Sequence, residues 1–222
     1  MKVQWSYSGL KDFETCARKF HAVKVLKLYP RQETEATIYG TRLHEAAEFY
    51  IRDDVPLPAE FAFIKPTLDS LRAMPGRKLC EHEMALRDDL TPCGFKDPDY
   101  WVRGIADLVI VDDDNFTARV FDYKTGGDKY PDPGQLDLMA LMIMAEMPHI
   151  KRVTGGLLFV KTGRLVKHSV DREEIARAWW RYRERVARIT HAHESGVWNP
   201  TQSGLCKKYC PVTTCEFSGQ HR

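Results

Sequence analysis

The sequence predicts an α/β fold in which helices flank a mixed central β-sheet. Helical periodicity dominates the first third of the 222 residues, three β-branched strand segments follow in the middle, and a strongly apolar helix then precedes a β-hairpin. Packing helices against one sheet buries the apolar faces of such elements. We expect one domain covering residues 1–222, which is long enough to bury a substantial core.

Three helices are predicted before the sheet. The first has a candidate cap at Ser8 and apolar residues at helical spacing up to about Leu28. The second starts near Thr37 and should stop before Pro56. A third, weaker helix covers about Ala59–Ala73.

Five strands and two further helices are predicted after these. The strands cover about Leu79–Arg87, Trp101–Val111, Ala118–Tyr123, Val153–Lys161 and Leu165–Val170, and the helices cover about Leu136–Met147 and Asp171–Ser195.

The charges of the chain are unevenly distributed, although the net charge is only +2. Lys2–Arg31 and Lys151–Val170 are basic, whereas Glu81–Asp114 carries ten acidic residues against three basic ones. An acidic centre between basic stretches suits a metal site inside a phosphate-binding groove. Ordinary surface charge explains the same pattern about equally well.

Several classes of protein are disfavoured by what the sequence lacks. No segment approaches the ~18 apolar residues that a membrane span needs, and the N-terminal residues have no apolar core of signal-peptide type. We therefore expect no membrane partner and a cytoplasmic location, in a bacterial or phage-infected cell. Six cysteines in a reducing compartment are better explained as metal ligands or core residues than as disulfides.

Three charged residues on two predicted strands point to a reaction. Asp122 and Lys124 lie two residues apart in FDYKTG and share one face of a strand, and Asp107 in GIADLV lies on the strand before it. Two carboxylates and an ammonium converging at a sheet form a site for a divalent metal and an activated water. This chemistry hydrolyses phosphodiesters.

Segments along most of the chain resemble the RecB-like branch of the PD-(D/E)XK nuclease superfamily, in the order in which that family carries them. They are SYSGLKDFETCARKFHAVKVLKL, YGTRLHEAAEFY, GIADLV, FDYKTG and GQLDLMALM. The resemblance implies a restriction-endonuclease-like core and a Mg²⁺- or Mn²⁺-dependent nuclease. One departure is Met139, which stands where the family often has a tyrosine.

The resemblance also assigns roles to residues. Asp107, Asp122, Lys124 and Gln135 are implied to be catalytic, and His44 and Glu81 are implied to bind metal together with the two aspartates, with Glu83 as the alternative to Glu81. The Tyr123 carbonyl is implied to be a further ligand. An imidazole ligand favours Mn²⁺.

The C-terminal tail carries Cys206, Cys210 and Cys215 in a C-x3-C-x4-C pattern. It resembles relatives that carry an iron–sulfur cluster, among them AddB and CRISPR-associated nucleases, although C-x2-C-x5-C is common there. The resemblance favours a [4Fe–4S] cluster with Cys16 as the fourth ligand. Structural Zn²⁺, with His221 in place of Cys16, is the rival.

Taken together, these features predict a metal-dependent DNA nuclease, most simply an exonuclease acting on free ends or single strands. The resemblance implies a role in recombination, repair, phage replication or CRISPR adaptation, with protein partners from those processes. Two alternatives stay open: a catalytically inactive DNA-binding or scaffold module, and an RNA-processing nuclease.

Overall fold

A computed structural model describes residues 3–30 and 33–219. The chain divides into two compact units: a sheet unit, Thr34–Trp179, and a terminal unit that combines Met1–Glu33 with Trp180–Arg222. The two ends of the chain therefore fold into the same unit. That residues 1–222 form one domain stays a prediction.

The sheet unit is built on a five-stranded mixed sheet. Its strands are β1 (Arg77–Leu86), β2 (Val102–Asp112), β3 (Thr117–Lys124), β4 (Arg152–Phe159) and β5 (Arg164–Asp171). They lie side by side in chain order, with β3 and β4 parallel and the other neighbours antiparallel. The predicted fold class is confirmed, and each predicted strand exists within a few residues of its expected ends.

Helix α5 (Gly134–Glu146) connects β3 to the parallel strand β4, as such a pair requires. Most of its residues are buried, so it is apolar on all sides rather than amphipathic. It packs closely on the sheet: a Cβ added to Gly155 would lie 2.7 Å from the Cβ of Leu136. Glycine at that position allows the close approach.

The opposite face of the sheet is covered by α3 (Glu35–Asp53) and α4 (Lys65–Ala73), with a 3-10 turn at Ala59–Ile64 before α4. Thr34 caps α3 by accepting a hydrogen bond from the Thr37 N–H. These helices and the sheet bury one apolar cluster, which contains Leu43, Ala47, Tyr50, Phe61, Ile64, Leu68, Leu71, Leu108, Ile110, Phe121, Tyr123 and Leu158.

The terminal unit begins with α1 (Tyr7–Thr15) and α2 (Ala17–Phe20), followed by a π-helical turn at His21–Val25. The single helix predicted from Ser8 to about Leu28 is therefore wrong in two respects. Ser6, not Ser8, is the cap, because its hydroxyl accepts from the Gly9 N–H. The helix also breaks at Cys16, whose backbone is extended.

The rest of the terminal unit is the C-terminal part of α6 (Ile175–Ser195) and the tail. Arg185 of α6 donates to both carboxylate oxygens of Glu14, at 2.7 and 2.9 Å, and Trp5 stacks on Tyr182. A bidentate ion pair fixes α6 against α1, and the ring stack fixes it against Trp5, which lies just before α1. Among the described helices, none is both long enough and apolar enough to cross a membrane.

Candidate active site

All six side chains expected at the active site belong to the sheet unit. Asp107 lies on β2, Asp122 and Lys124 on β3, and Glu81 on β1, while His44 comes from α3 and Gln135 from the first turn of α5. The structure gathers them into two groups: His44 with Glu81 and Asp107, and Asp122 with Lys124 and Gln135.

The first group offers a set of metal ligands. One ligand atom each from His44, Glu81 and Asp107 lies within 4.8 Å of the other two. The His44 Nδ1 atom lies 3.3 Å from Asp107 Oδ1, and its Nε2 atom lies 3.0 Å from the carbonyl oxygen of Tyr123. Both of these oxygens only accept hydrogen bonds, so the metal-free imidazole donates to each, and one ring nitrogen would have to lose its proton to bind a cation.

The Asp107 carboxylate is fixed by a backbone hydrogen bond at the point where the pairing of β2 with β3 ends. The pairing stops at Leu108 and Phe121. Just beyond it, the Asp107 Oδ2 atom accepts a hydrogen bond of 2.6 Å from the Tyr123 N–H, which fixes one carboxylate oxygen. The other oxygen faces His44.

Glu81 has a strained backbone. It lies opposite Asp107, between the pairs Cys80–Leu108 and His82–Ala106, and its φ angle is +44°. A non-glycine residue in the left-handed region costs about 1–3 kcal/mol, and strain of this kind clusters at functional sites. Glu83, the alternative ligand on the same strand, is exposed and lies outside the metal-ligand group.

The second group is a closed triangle of polar contacts. The Lys124 Nζ atom lies 2.6 Å from Asp122 Oδ2 and donates to Gln135 Oε1 at 2.9 Å. The Gln135 amide in turn donates to Asp122 Oδ1 at 2.6 Å. The helix start predicted to carry Gln135 thus holds the lysine and the carboxylate in place.

The electrostatics of the site are those of crowded negative charge. Burial, together with the charge of Asp107, raises the pKa of Glu81 from 4.5 to about 7 and that of Asp122 from 3.8 to about 6. Burial alone would lower the pKa of His44, but the Asp107 hydrogen bond and the nearby carboxylates outweigh it and raise this pKa to about 9. A divalent cation would relieve the repulsion between these carboxylates, so the donor set fits such an ion.

One contributor to the site was not foreseen. A Cβ added to Gly40 of α3 would lie 3.3 Å from Thr125 Oγ1, in the segment directly after Lys124. The small residue therefore lets α3 approach the end of β3, where His44 is needed. A glycine inside a helical pattern was the available signal.

A model of the PD-(D/E)XK nuclease superfamily matches residues 4–215. The chain belongs to the PD-(D/E)XK nuclease superfamily. Members of this superfamily use divalent metals, and the group of His44, Glu81 and Asp107 could hold one.

One solved structure shows a similar fold, and a second has a lower TM-score. A protein from Eubacterium rectale described as a putative exonuclease has 14% sequence identity and a TM-score of 0.53, with 100% of this chain and 89% of that chain covered. The protein SSO0001 has 16% identity and a TM-score of 0.46, with 97% and 87% covered. No curated protein matches the sequence.

The four cysteines proposed as cluster ligands all lie in the terminal unit of this superfamily member. The Cys16 Sγ atom accepts from the Thr201 N–H at 3.4 Å, and the Cys206 thiol lies 3.8 Å from the Thr201 carbonyl oxygen. Cys210 and Cys215 pack in one small cluster with Ala22, Val212, Tyr29 and Phe217.

The spacing of these thiols bears on which metal they could bind. Four thiolates around one Zn²⁺ lie about 3.8 Å apart, given a Zn–S distance of about 2.3 Å. Within residues 3–30 and 33–219, no three cysteine sulfurs lie within 4.8 Å of one another. His221, the rival zinc ligand, lies outside the described residues.

Proposed function

We propose that this chain is a metal-dependent deoxyribonuclease of the RecB-like branch, and that it acts as an exonuclease. The observation that carries the proposal is the pairing of the two groups, a His–Glu–Asp ligand set beside an Asp–Lys–Gln triangle. His44, Glu81 and Asp107 would hold Mg²⁺ or Mn²⁺, with Asp122 as a further ligand. When bound, the cation supplies activation of water and neutralisation of phosphate charge.

The residues of the triangle would do the rest. Lys124 is a cation beside the carboxylates, and its ammonium can donate to the attacking water and to the charge that develops on the phosphate. Gln135 holds that ammonium from one side, while Asp122 holds it from the other. Fixing a donor before the reaction avoids reorganisation in the transition state.

The experiment is a cleavage assay on end-labelled linear DNA, with Mg²⁺, Mn²⁺ or excess chelator. Asp122→Asn should abolish cleavage, whereas Asp114→Asn should not, because Asp114 is exposed in the turn between β2 and β3. Product release from linear DNA but not from covalently closed circles supports an exonuclease. Wild-type cleavage in chelator contradicts the metal mechanism.

The same assay separates the alternatives. Binding of DNA without cleavage under any metal condition would identify a scaffold module. DNA binding that is fully retained by Asp122→Asn, when the wild type shows no turnover, would identify it as well. Faster cleavage of RNA than of DNA of the same sequence would identify an RNA-processing nuclease. The intact Asp107, Asp122 and Lys124 support catalysis.

We also propose that Cys16, Cys206, Cys210 and Cys215 bind a [4Fe–4S] cluster, with Zn²⁺ as the rival. Backbone N–H groups point at two of the sulfurs: Thr201 at Cys16 and Ser203 at Cys206, each at 3.4 Å. Such hydrogen bonds are among the features that tune cluster thiolates. Elemental analysis of anaerobically purified protein decides, since about four iron atoms per chain support the cluster and about one zinc supports the rival.

A further inference from the structure

The loop between the catalytic lysine and Gln135, residues 125–133, carries an exposed aromatic ring. Tyr130 is 82% exposed, and within the described residues its ring contacts the Lys129 ammonium, which lies 5.3 Å from the ring centroid. The loop tip is five residues from Gln135, so it lies within about 17 Å of the triangle. A tyrosine ring that is exposed to water at this distance from the site is stabilised when a flat apolar partner stacks on it.

The loop is attached to the tip of the β4–β5 hairpin. Asp128 accepts hydrogen bonds from Thr162 Oγ1 at 3.2 Å and, through its carbonyl oxygen, from Arg164 at 2.7 Å. Directly after β4, in the same turn, the Val160 N–H donates to the Lys124 carbonyl oxygen at 3.1 Å. Residues 125–133 and 160–164 thus form one rim beside the catalytic lysine, which we call the aromatic rim.

The aromatic rim carries two exposed cations. Lys161 lies 5.0 Å above the ring of Tyr39 on α3, and Lys129 lies above Tyr130. Neither ammonium has a carboxylate within 4.0 Å among the described residues. The carboxylate of Asp128 instead faces Thr162 and Arg164. Exposed ammonium groups on a rim beside an acidic centre suit the phosphates of a polyanion.

We infer that the aromatic rim binds the strand being cleaved, with Tyr130 stacking on an unpaired base while Lys129 and Lys161 contact phosphates. The inference rests on the proposed function and deepens it. A base inside a duplex offers no free face for stacking, so Tyr130 selects single strands or frayed ends. Such stacking is sequence-tolerant because every base has a π-face.

The test compares Tyr130→Ala with Tyr130→Phe, measuring kcat and KM on a single-stranded oligonucleotide. We expect KM to rise roughly 5- to 100-fold in Tyr130→Ala, the range for loss of one stacked base, and to stay near wild type in Tyr130→Phe. The same assay on oligonucleotides with one abasic nucleotide, moved stepwise from the cleaved end, removes the partner instead of the ring. When the abasic nucleotide occupies the position that stacks on Tyr130, the KM values of the wild type and of Tyr130→Ala should become equal. Lys161→Gln should weaken binding and lower its salt dependence by about one phosphate contact.

The matched control is Phe116→Ala. Phe116 is an exposed ring with a lysine, Lys151, 4.9 Å from its centroid, but it precedes β3 and lies about 20 Å along that strand from Asp122. It should leave KM unchanged. If the wild type cleaves DNA but Tyr130→Ala matches it, or if its defect persists at every abasic position, the inference is wrong while the proposed function stands. If the wild type cleaves no nucleic acid, the proposed function itself fails.

Discussion

Glu81→Gln should make the metal-free protein more stable and its metal binding weaker. The folded protein raises the pKa of Glu81 from 4.5 to about 7, chiefly by burial and by the charge of Asp107. A carboxyl whose pKa is higher in the folded state binds its proton more tightly there than in the unfolded chain. Its ionisation therefore destabilises the fold, with no penalty below pH 4.5 and the full penalty above about pH 7.

The size of this penalty follows from the shift. A rise from 4.5 to about 7 corresponds to an upper bound of about 3 kcal/mol, at 1.36 kcal/mol per pKa unit. Because Glu81 is only half-buried, solvent screening reduces it, and we expect about 1 kcal/mol. For a chain of this length, that gain corresponds to a rise in Tm of about 2–4 °C.

Thermal unfolding at pH 8 in chelator, and again with Mn²⁺, measures both effects. Glu81→Gln should unfold at a higher temperature than the wild type in chelator and should gain less from Mn²⁺, because one carboxylate ligand is missing. At pH 5 the advantage in chelator should shrink. Glu83→Gln is the matched control, since Glu83 is exposed on the same strand, and it should change neither quantity. A less stable Glu81→Gln, or an undiminished response to Mn²⁺, would refute the reasoning.

Four further outcomes are expected. Asp107→Ala and Lys124→Ala should each abolish cleavage with the fold intact by circular dichroism, and the double variant should be no worse than either single one, because the residues act as a unit. Gln135→Ala should lower kcat about 10- to 100-fold with little change in KM, since it removes two hydrogen bonds to charged groups that position Lys124; an unchanged kcat would count against that role. Cleavage should need added metal, with Mn²⁺ at least as effective as Mg²⁺, and stronger support by Ca²⁺ would contradict the ligand set with His44. Cys210→Ser should release iron and lower Tm; unchanged metal content would argue against the cluster.

Much of the sheet unit could be predicted from the sequence because its signals are local. The strands that carry Asp107 and Asp122 are rich in β-branched and aromatic residues, and an Asp–Lys spacing of two places both side chains on one face of a strand. On α6, the adjacent residues Trp179 and Trp180 could not both face the core, and they are 3% and 59% exposed. Periodicity is a sufficient guide at these positions.

The features that could not be predicted depend on contacts between distant segments. The break at Cys16 coincides with its hydrogen bond to Thr201, 185 positions away. The φ of +44° at Glu81 has no signal in the residue itself, since a glutamate in a strand is expected to be extended. The division into two units likewise depends on the pairing of the two ends of the chain, which no local pattern encodes.

The most direct test is whether the two groups of side chains form a metal-dependent hydrolytic site. The wild type and Asp122→Asn are titrated with Mn²⁺, and cleavage of one end-labelled linear DNA is measured at each Mn²⁺ concentration. The wild type should release short products only when Mn²⁺ is present, and excess chelator should stop the reaction. Asp122→Asn should release none at any Mn²⁺ concentration. Equal product from both proteins, or product from the wild type in chelator, would contradict the assignment of these residues to phosphodiester hydrolysis.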